Sequence, residues 1–218
     1  MGDMWNGHPH AYCDFMKHCS RAPVLVVAWL GCGAAVQSAA TGADSGWVTL
    51  LDGTDPATLK NWSRVGEDNW RIEDGSVVAD KRAGRDSTFL LSRKQYGDFE
   101  LRAEVWLDDN GGSGIFFRGL DPYRIHARNS YDLNINDHYK DPAYGTGAIV
   151  NFAKVGTPLR AANQWNTVLI TAQGTHLTVE FDGVKTVDIR DSTFPEGPVA
   201  LQYNGGVVKW RKVQVKPL

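Results

Sequence analysis

Cysteine is scarce in this chain, and its placement narrows the chemistry. The three cysteines are Cys13, Cys19 and Cys32. Nothing after Cys32 can therefore form a disulfide, a thiolate metal site or a cysteine nucleophile. An excess of one charge is missing as well. Acidic side chains number 25 against 23 basic ones, a formal net charge of −2, so there is no electrostatic case for nucleic acid or an anionic membrane. No Gly-x-Ser-x-Gly nucleophile turn occurs. Gly145-Thr146-Gly147 is followed by neither a lysine nor a helical pattern, which excludes a phosphate loop. After Gly46 no segment sustains a helical period.

Long apolar runs are also lacking. The stretch 24–36, VLVVAWLGCGAAV, is too short to span a bilayer comfortably. Lys17 and Arg21 precede it and Ser38-Ala39-Ala40 follow it. Basic residues, an apolar run and small residues, in that order, make an export signal. The expectation is a signal region over 1–40, removed near Ala40, and one domain over 41–218 with no transmembrane span. Met16-Lys17 is the more usual beginning for such a signal, which makes Met16 a candidate true start. Leu30-Gly31-Cys32 weakly resembles a lipoprotein box; lipidation of Cys32 is the less favoured alternative to a periplasmic or extracellular protein.

What is present is short alternating strands and many aromatics, with eight Trp. The residues 98–107 form the longest alternating run: Phe99, Leu101, Ala103, Val105 and Leu107 face one way, and Glu100, Arg102, Glu104 and Trp106 face the other. The segments 113–118, 165–172, 175–181, 184–189, 199–203 and 207–215 read as further strands. Asp74-Gly75 and Asp182-Gly183 are hairpin turns. Strands 47–51, 70–73, 76–79 and 87–91 precede the run at 98–107. This pattern predicts an all-β, two-sheet jelly-roll sandwich. The stretch 131–151, YDLNINDHYKDPAYGTGAIVN, stands out. It starts as a strand with Asp132, Asn134 and Asn136 on one face, then enters a loop of titratable and aromatic groups.

Several motifs together carry a family resemblance over 46–218: WVTLLDG at 47–53, NWRIEDGSVVA at 69–79, YGDFELRAEVWL at 96–107, SGIFFRG at 113–119, YDLNIND at 131–137 and the C-terminal GPVALQYNGGVVKWRKVQVKPL. In order and spacing they resemble the 3-keto-disaccharide hydrolase family. The resemblance implies a concanavalin-like jelly roll and an exported bacterial protein acting on oxidised sugars. Two places depart from the expected pattern. Asp132-Leu133-Asn134 stands where Glu-x-Gln is expected, and Tyr203-Asn204 where many relatives place a His before Gly.

A sugar oxidised to a ketone at C3 has an acidic C2 proton. Removing it gives an enolate, the C1 oxygen leaves, and water adds back. Such a site needs a base, an enolate stabiliser and an acid. Glu104 is the first candidate base, with a solvated strand charge as the alternative. Arg118, read on the same kind of face, is a candidate to hold substrate or to pair with Glu104. Asp132 is a second candidate carboxylate, and His138 a candidate acid. Trp106, Tyr139 and Tyr144 suit stacking on a sugar ring, and Asn134 and Gln202 suit hydrogen bonds to hydroxyls. No cofactor is specified by any motif. A divalent metal ion is one possible stabiliser, with Asp137 and His138 as candidate ligands. The expectation is that Glu104, Arg118, Asp132 and His138 converge on one outer sheet face.

Two other functions compete. The same sandwich serves as a non-catalytic carbohydrate-binding module. An ordinary two-carboxylate glycosidase of the laminarinase type places Glu-x-Asp-x-x-Glu on one strand, and Asp132–Asp137 lacks both glutamates.

Overall fold

The computed structural model describes residues 46–119, 121, 124–157 and 159–218. The expected export segment, its cysteines and Met16 lie outside the described residues. Within them, thirteen strands form two antiparallel sheets. The eight-stranded sheet runs β11 (Val184–Arg190), β10 (His176–Phe181), β9 (Trp165–Gln173), β6 (Phe99–Leu107), β13 (Val208–Pro217), β4 (Ser76–Ala79) and β3 (Arg71–Glu73), with β1 (Val48–Asp52) also paired to β13. The five-stranded sheet runs β2 (Trp62–Val65), β5 (Thr88–Tyr96), β12 (Gly197–Tyr203), β7 (Ser113–Phe117) and β8 (Tyr131–Ile135). The expected jelly-roll sandwich is the fold.

The alternation in β6 sets one layer of the core. Phe99, Leu101, Val105 and Leu107 are fully buried, and they pack in one cluster with Ile115, Phe117, Leu133, Val199 and Leu201 from the other sheet. Each large apolar side chain buried this way stabilises the fold by about 1.5–3 kcal/mol. The two Asp-Gly hairpins have the left-handed backbone that their sequence demands. Asp74 and Gly75 have φ of 49° and 70°, and Asp182 and Gly183 have φ of 50° and 75°, as a two-residue turn matched to strand twist requires.

The strand β2 carries no alternation long enough to read from the sequence. Its four residues pair with β5 from Trp62↔Ser92 to Val65↔Phe89. Trp62 buries its ring and donates from Nε1 to the Leu50 carbonyl at 2.8 Å. One tryptophan anchors a strand too short to show a period.

Only two residues, Gly97 and Asp98, separate β5 from β6, yet these strands belong to different sheets. Arg118 secures that corner. It is 1 % exposed and donates to the Gly97 carbonyl (2.8 Å), the Gly174 carbonyl (2.8 Å) and Asp98 Oδ1 (3.0 Å). Asp98 Oδ1 also accepts from the Gly174 amide at 2.9 Å. The expected pairing of Arg118 with Glu104 is therefore corrected. Arg118 has φ of 53°, which ends the alternation of β7 and turns the side chain into the sandwich corner.

Candidate functional site

The expected convergence of four residues does not occur, because Glu104 and Asp132 lie on different sheets. Glu104 projects from the outer face of the eight-stranded sheet, where Arg211 pairs with it. Asp132 projects from the outer face of the five-stranded sheet. Trp106 shares the Glu104 face, with Lys209 Nζ 4.9 Å from its ring centroid. Alternation correctly placed both carboxylates away from the core; it does not say which of two outer faces each one takes.

The Asp132 face is assembled from four strands. Leu91, Ala200, Phe116 and Asp132 form one cross-strand row, and Phe89 with Gln202, and Gly114 with Asn134, lie in the next. Phe89, Leu91, Phe116 and Ala200 form an apolar cluster separate from the main core, with Val65 and Ile125 packed against it. The Phe89 and Phe116 rings meet edge to face at 5.3 Å, a geometry that adds about 0.5–1.5 kcal/mol to their burial. Asp132 is held against this apolar floor.

Asp132 is 8 % exposed, and its Oδ1 is buried without a hydrogen-bond partner. Burial raises its pKa to about 8, because an ionised carboxylate loses hydration there. Gly114 makes room beside it. A Cβ at Gly114 would lie 2.9 Å from Asp132 Oδ1 and 3.4 Å from Gln202 Oε1. The missing side chain thus lets both oxygens close in on the Gly114 backbone, with the Leu133 carbonyl 3.0 Å from the same point. A glycine inside a strand, as in SGIFFRG, marks such close approach. Gln202 is fixed by donating from Nε2 to Ser87 Oγ at 3.0 Å. Tyr139 stands within the field of Asp132: burial first, then the charges of Asp132 and Asp141, raise its phenol pKa.

The remaining candidates brace the surrounding loop. Asn134 is buried and donates to the Tyr144 carbonyl at 2.7 Å. The loop folds back along β8: the Val150 amide donates to the Asp132 carbonyl, and the Gly147 amide to the Asn134 carbonyl, both at 2.9 Å. Tyr144 lies beneath Lys154, 5.2 Å from its Nζ. His138 is exposed, and its Nε2 is 4.0 Å from Asp109 Oδ1.

Asp137 does not fit a metal. Its carboxylate accepts from the amides of Ala161 and Ala162 at 3.0 Å and from the Thr146 hydroxyl at 2.6 Å. Both oxygens are committed to welding two loops together. Among the described residues no group of three or more His, Cys, Asp or Glu is placed to hold a metal ion. Of the two departures from the expected pattern, the first is Asp132 itself. At the second, Tyr203 donates to the Gly206 carbonyl (3.0 Å) and Asn204 accepts from Arg82 (2.9 Å).

The profile of the 3-keto-α-glucoside-1,2-lyase-like domain matches residues 46–216. The chain belongs to this family. No curated protein matches it in sequence. Among solved structures, it is similar to a candidate glycosyl hydrolase of Parabacteroides distasonis ATCC 8503, at 17 % identity and a TM-score of 0.66, covering 79 % of this chain and 94 % of that one. A second candidate glycosyl hydrolase of that organism gives 19 %, 0.63, 79 % and 99 %. A protein of unknown function with a galectin-like fold from Bacillus subtilis gives 10 %, 0.55, 78 % and 96 %. At these identities the likeness is one of fold. As a member of the 3-keto-α-glucoside-1,2-lyase-like family, the chain is a carbohydrate-related jelly-roll domain. No helix among the described residues is long and apolar enough to cross a membrane.

Proposed function

We propose that this protein cleaves 3-keto-glycosides by elimination and hydration, with Asp132 as the base. The observation that carries this is a buried carboxyl, unpartnered at Oδ1, that closes on the bare Gly114 backbone beside Gln202 Oε1. Asp132 takes the C2 proton, and the electron pair moves toward the C3 oxygen. The C1–O bond then breaks, and the departing oxygen takes a proton from Tyr139. Water then adds its hydroxyl to C1 and gives its proton to Tyr139, while Asp132 returns its proton to C2, which completes the hydrolysis. With its pKa at about 8, about a tenth of Asp132 is ionised at pH 7. That fraction is a strong base, because a carboxylate without hydration or partners gains most from taking a proton. Gln202 is the hydrogen-bonding group for sugar hydroxyls. His138 is exposed and Asp137 is committed, so no step is routed through either.

A non-catalytic carbohydrate-binding role is the second reading. It is favoured by the shorter carboxylate at Asp132 where the family pattern leads one to expect Glu. The deciding experiment incubates the purified domain with 3-keto-glucosides and their unoxidised parents. The enzyme reading expects cleavage of the keto forms alone. Saturable binding of sugar with no cleavage of any form would replace it with the binding module. The order of basic, apolar and small residues over 17–40 supports export as the destination.

A further inference from the structure

The tryptophans are distributed unevenly. Trp62, Trp70 and Trp210 belong to the core. The other three in the described residues, Trp47, Trp106 and Trp165, all stand on the outer face of the eight-stranded sheet. None stands on the Asp132 face. Trp106 and Trp165 are direct cross-strand partners, which puts their rings side by side, and Trp165 is 38 % exposed. Trp47 sits over Arg102, four residues along β6 from Trp106, a distance of about 13 Å at roughly 3.3 Å per residue.

Two grooves flank the Glu104–Arg211 pair on this face. One, of about 410 Å³, is lined by Trp47, Glu104, Thr167 and Gln214 among others; the other, of about 200 Å³, is lined by Trp106, Trp165 and Ser76 among others. Each ring is steadied by a cation: Arg102 at 4.3 Å from the Trp47 centroid, Lys209 at 4.9 Å from Trp106 and Arg211 at 4.3 Å from Trp165. Charges in the larger groove balance, with Glu104 and Glu180 against Arg102 and Lys212. A charged ligand would meet as much repulsion as attraction there.

We infer that this face is a second carbohydrate site, separate from Asp132, that binds a neutral oligosaccharide along β6. Indole rings offer apolar faces to the C–H faces of pyranoses. The exposed Thr167 hydroxyl and the Glu104–Arg211 pair offer hydrogen bonds to the hydroxyl rims. The span from Trp47 to Trp106 calls for a chain of sugars rather than one ring. The site does no chemistry: Glu104 is paired with Arg211, and its function is to hold the protein on a glycan. It stands whether or not Asp132 is a base.

The test titrates the domain with maltohexaose and with cellohexaose while following the tryptophan indole N–H signals by NMR. Saturable shifts of Trp106 and Trp165 are expected with at least one of the two glycans. Trp165→Ala should weaken that binding about tenfold, and Trp165→Tyr should restore most of it. Asp132→Asn should bind as the wild type does, and Trp165→Ala should leave turnover of a soluble 3-keto-disaccharide unchanged. Failure of both glycans to move either indole signal overturns the inference. So does binding that survives Trp165→Ala unchanged, or that disappears in Asp132→Asn.

Discussion

The two outer faces of the sandwich treat their carboxylates in opposite ways. On the eight-stranded sheet Glu104 is ion-paired to Arg211 and Glu100 to Lys216. On the five-stranded sheet Asp132 has an unpartnered oxygen, an apolar floor and a raised pKa. The first arrangement lowers the energy of a solvated surface. The second costs stability, because a buried carboxyl without a full set of partners disfavours its own ionisation. The proton exchange proposed for Asp132 is a role in which such a cost would be repaid.

The largest expected effect separates the two carboxylates by activity. Asp132→Asn keeps shape and removes the proposed base; kcat/KM on a 3-keto-disaccharide should fall by about 10²- to 10⁴-fold, the usual contribution of a general base. Glu104→Gln on the other face should change it by less than about twofold. A steady-state comparison of the two variants checks this. Equal losses in both would erase the distinction between the faces.

The jelly roll was legible in the sequence, because β6 and both Asp-Gly hairpins display their period and turns openly. The site was legible only in pieces. Alternation and residue type singled out Asp132, Tyr139 and Gln202 as candidates; Asp132 and Gln202 stand on the outer face of the five-stranded sheet, and Tyr139 lies within the field of Asp132. Glu104 and Trp106 were wrongly joined to them. A period of two distinguishes core from non-core, but a sandwich has two non-core faces, and the chain changes sheet across only Gly97-Asp98. Nothing local in YGDFE marks that crossing. Arg118 failed for a different reason: its left-handed φ of 53° breaks the alternation used to place it. Gly114 and Trp165 were overlooked because the first has no side chain and the second stands at a strand end.

A smaller effect appears in stability against pH. Asp132 titrates near 3.8 when unfolded and at about 8 when folded. Between those values the native state keeps a proton that the unfolded chain has released. Its contribution is therefore fully present below about pH 4 and is lost as pH rises toward 8. Asp80, held down by Arg71, and Asp188, held down by Lys185, act with the opposite sign as pH falls below the ordinary carboxylate range. Asp132→Asn isolates the first term. Relative to wild type, the variant should gain about 2–3 kcal/mol of unfolding free energy between pH 5 and pH 7, read from urea transitions at both values. A difference that does not change with pH would show that Asp132 is not held in its neutral form.

The smallest effect belongs to the paired face. Arg211 and Glu104 form a close ion pair, but their side chains are 49 % and 34 % exposed. Solvent screens a pair so placed, and holding two long side chains in one geometry costs entropy. A double-mutant cycle with Glu104→Gln and Arg211→Gln should give a coupling of less than about 1 kcal/mol in unfolding free energy, falling further at high salt. Arg211 also covers the Trp165 ring at 4.3 Å, so the Arg211 variant alone should lose slightly more than the Glu104 variant. A coupling of several kcal/mol that salt does not weaken would mean that this carboxylate is as desolvated as Asp132, and the contrast between the two faces would fail on its stability side.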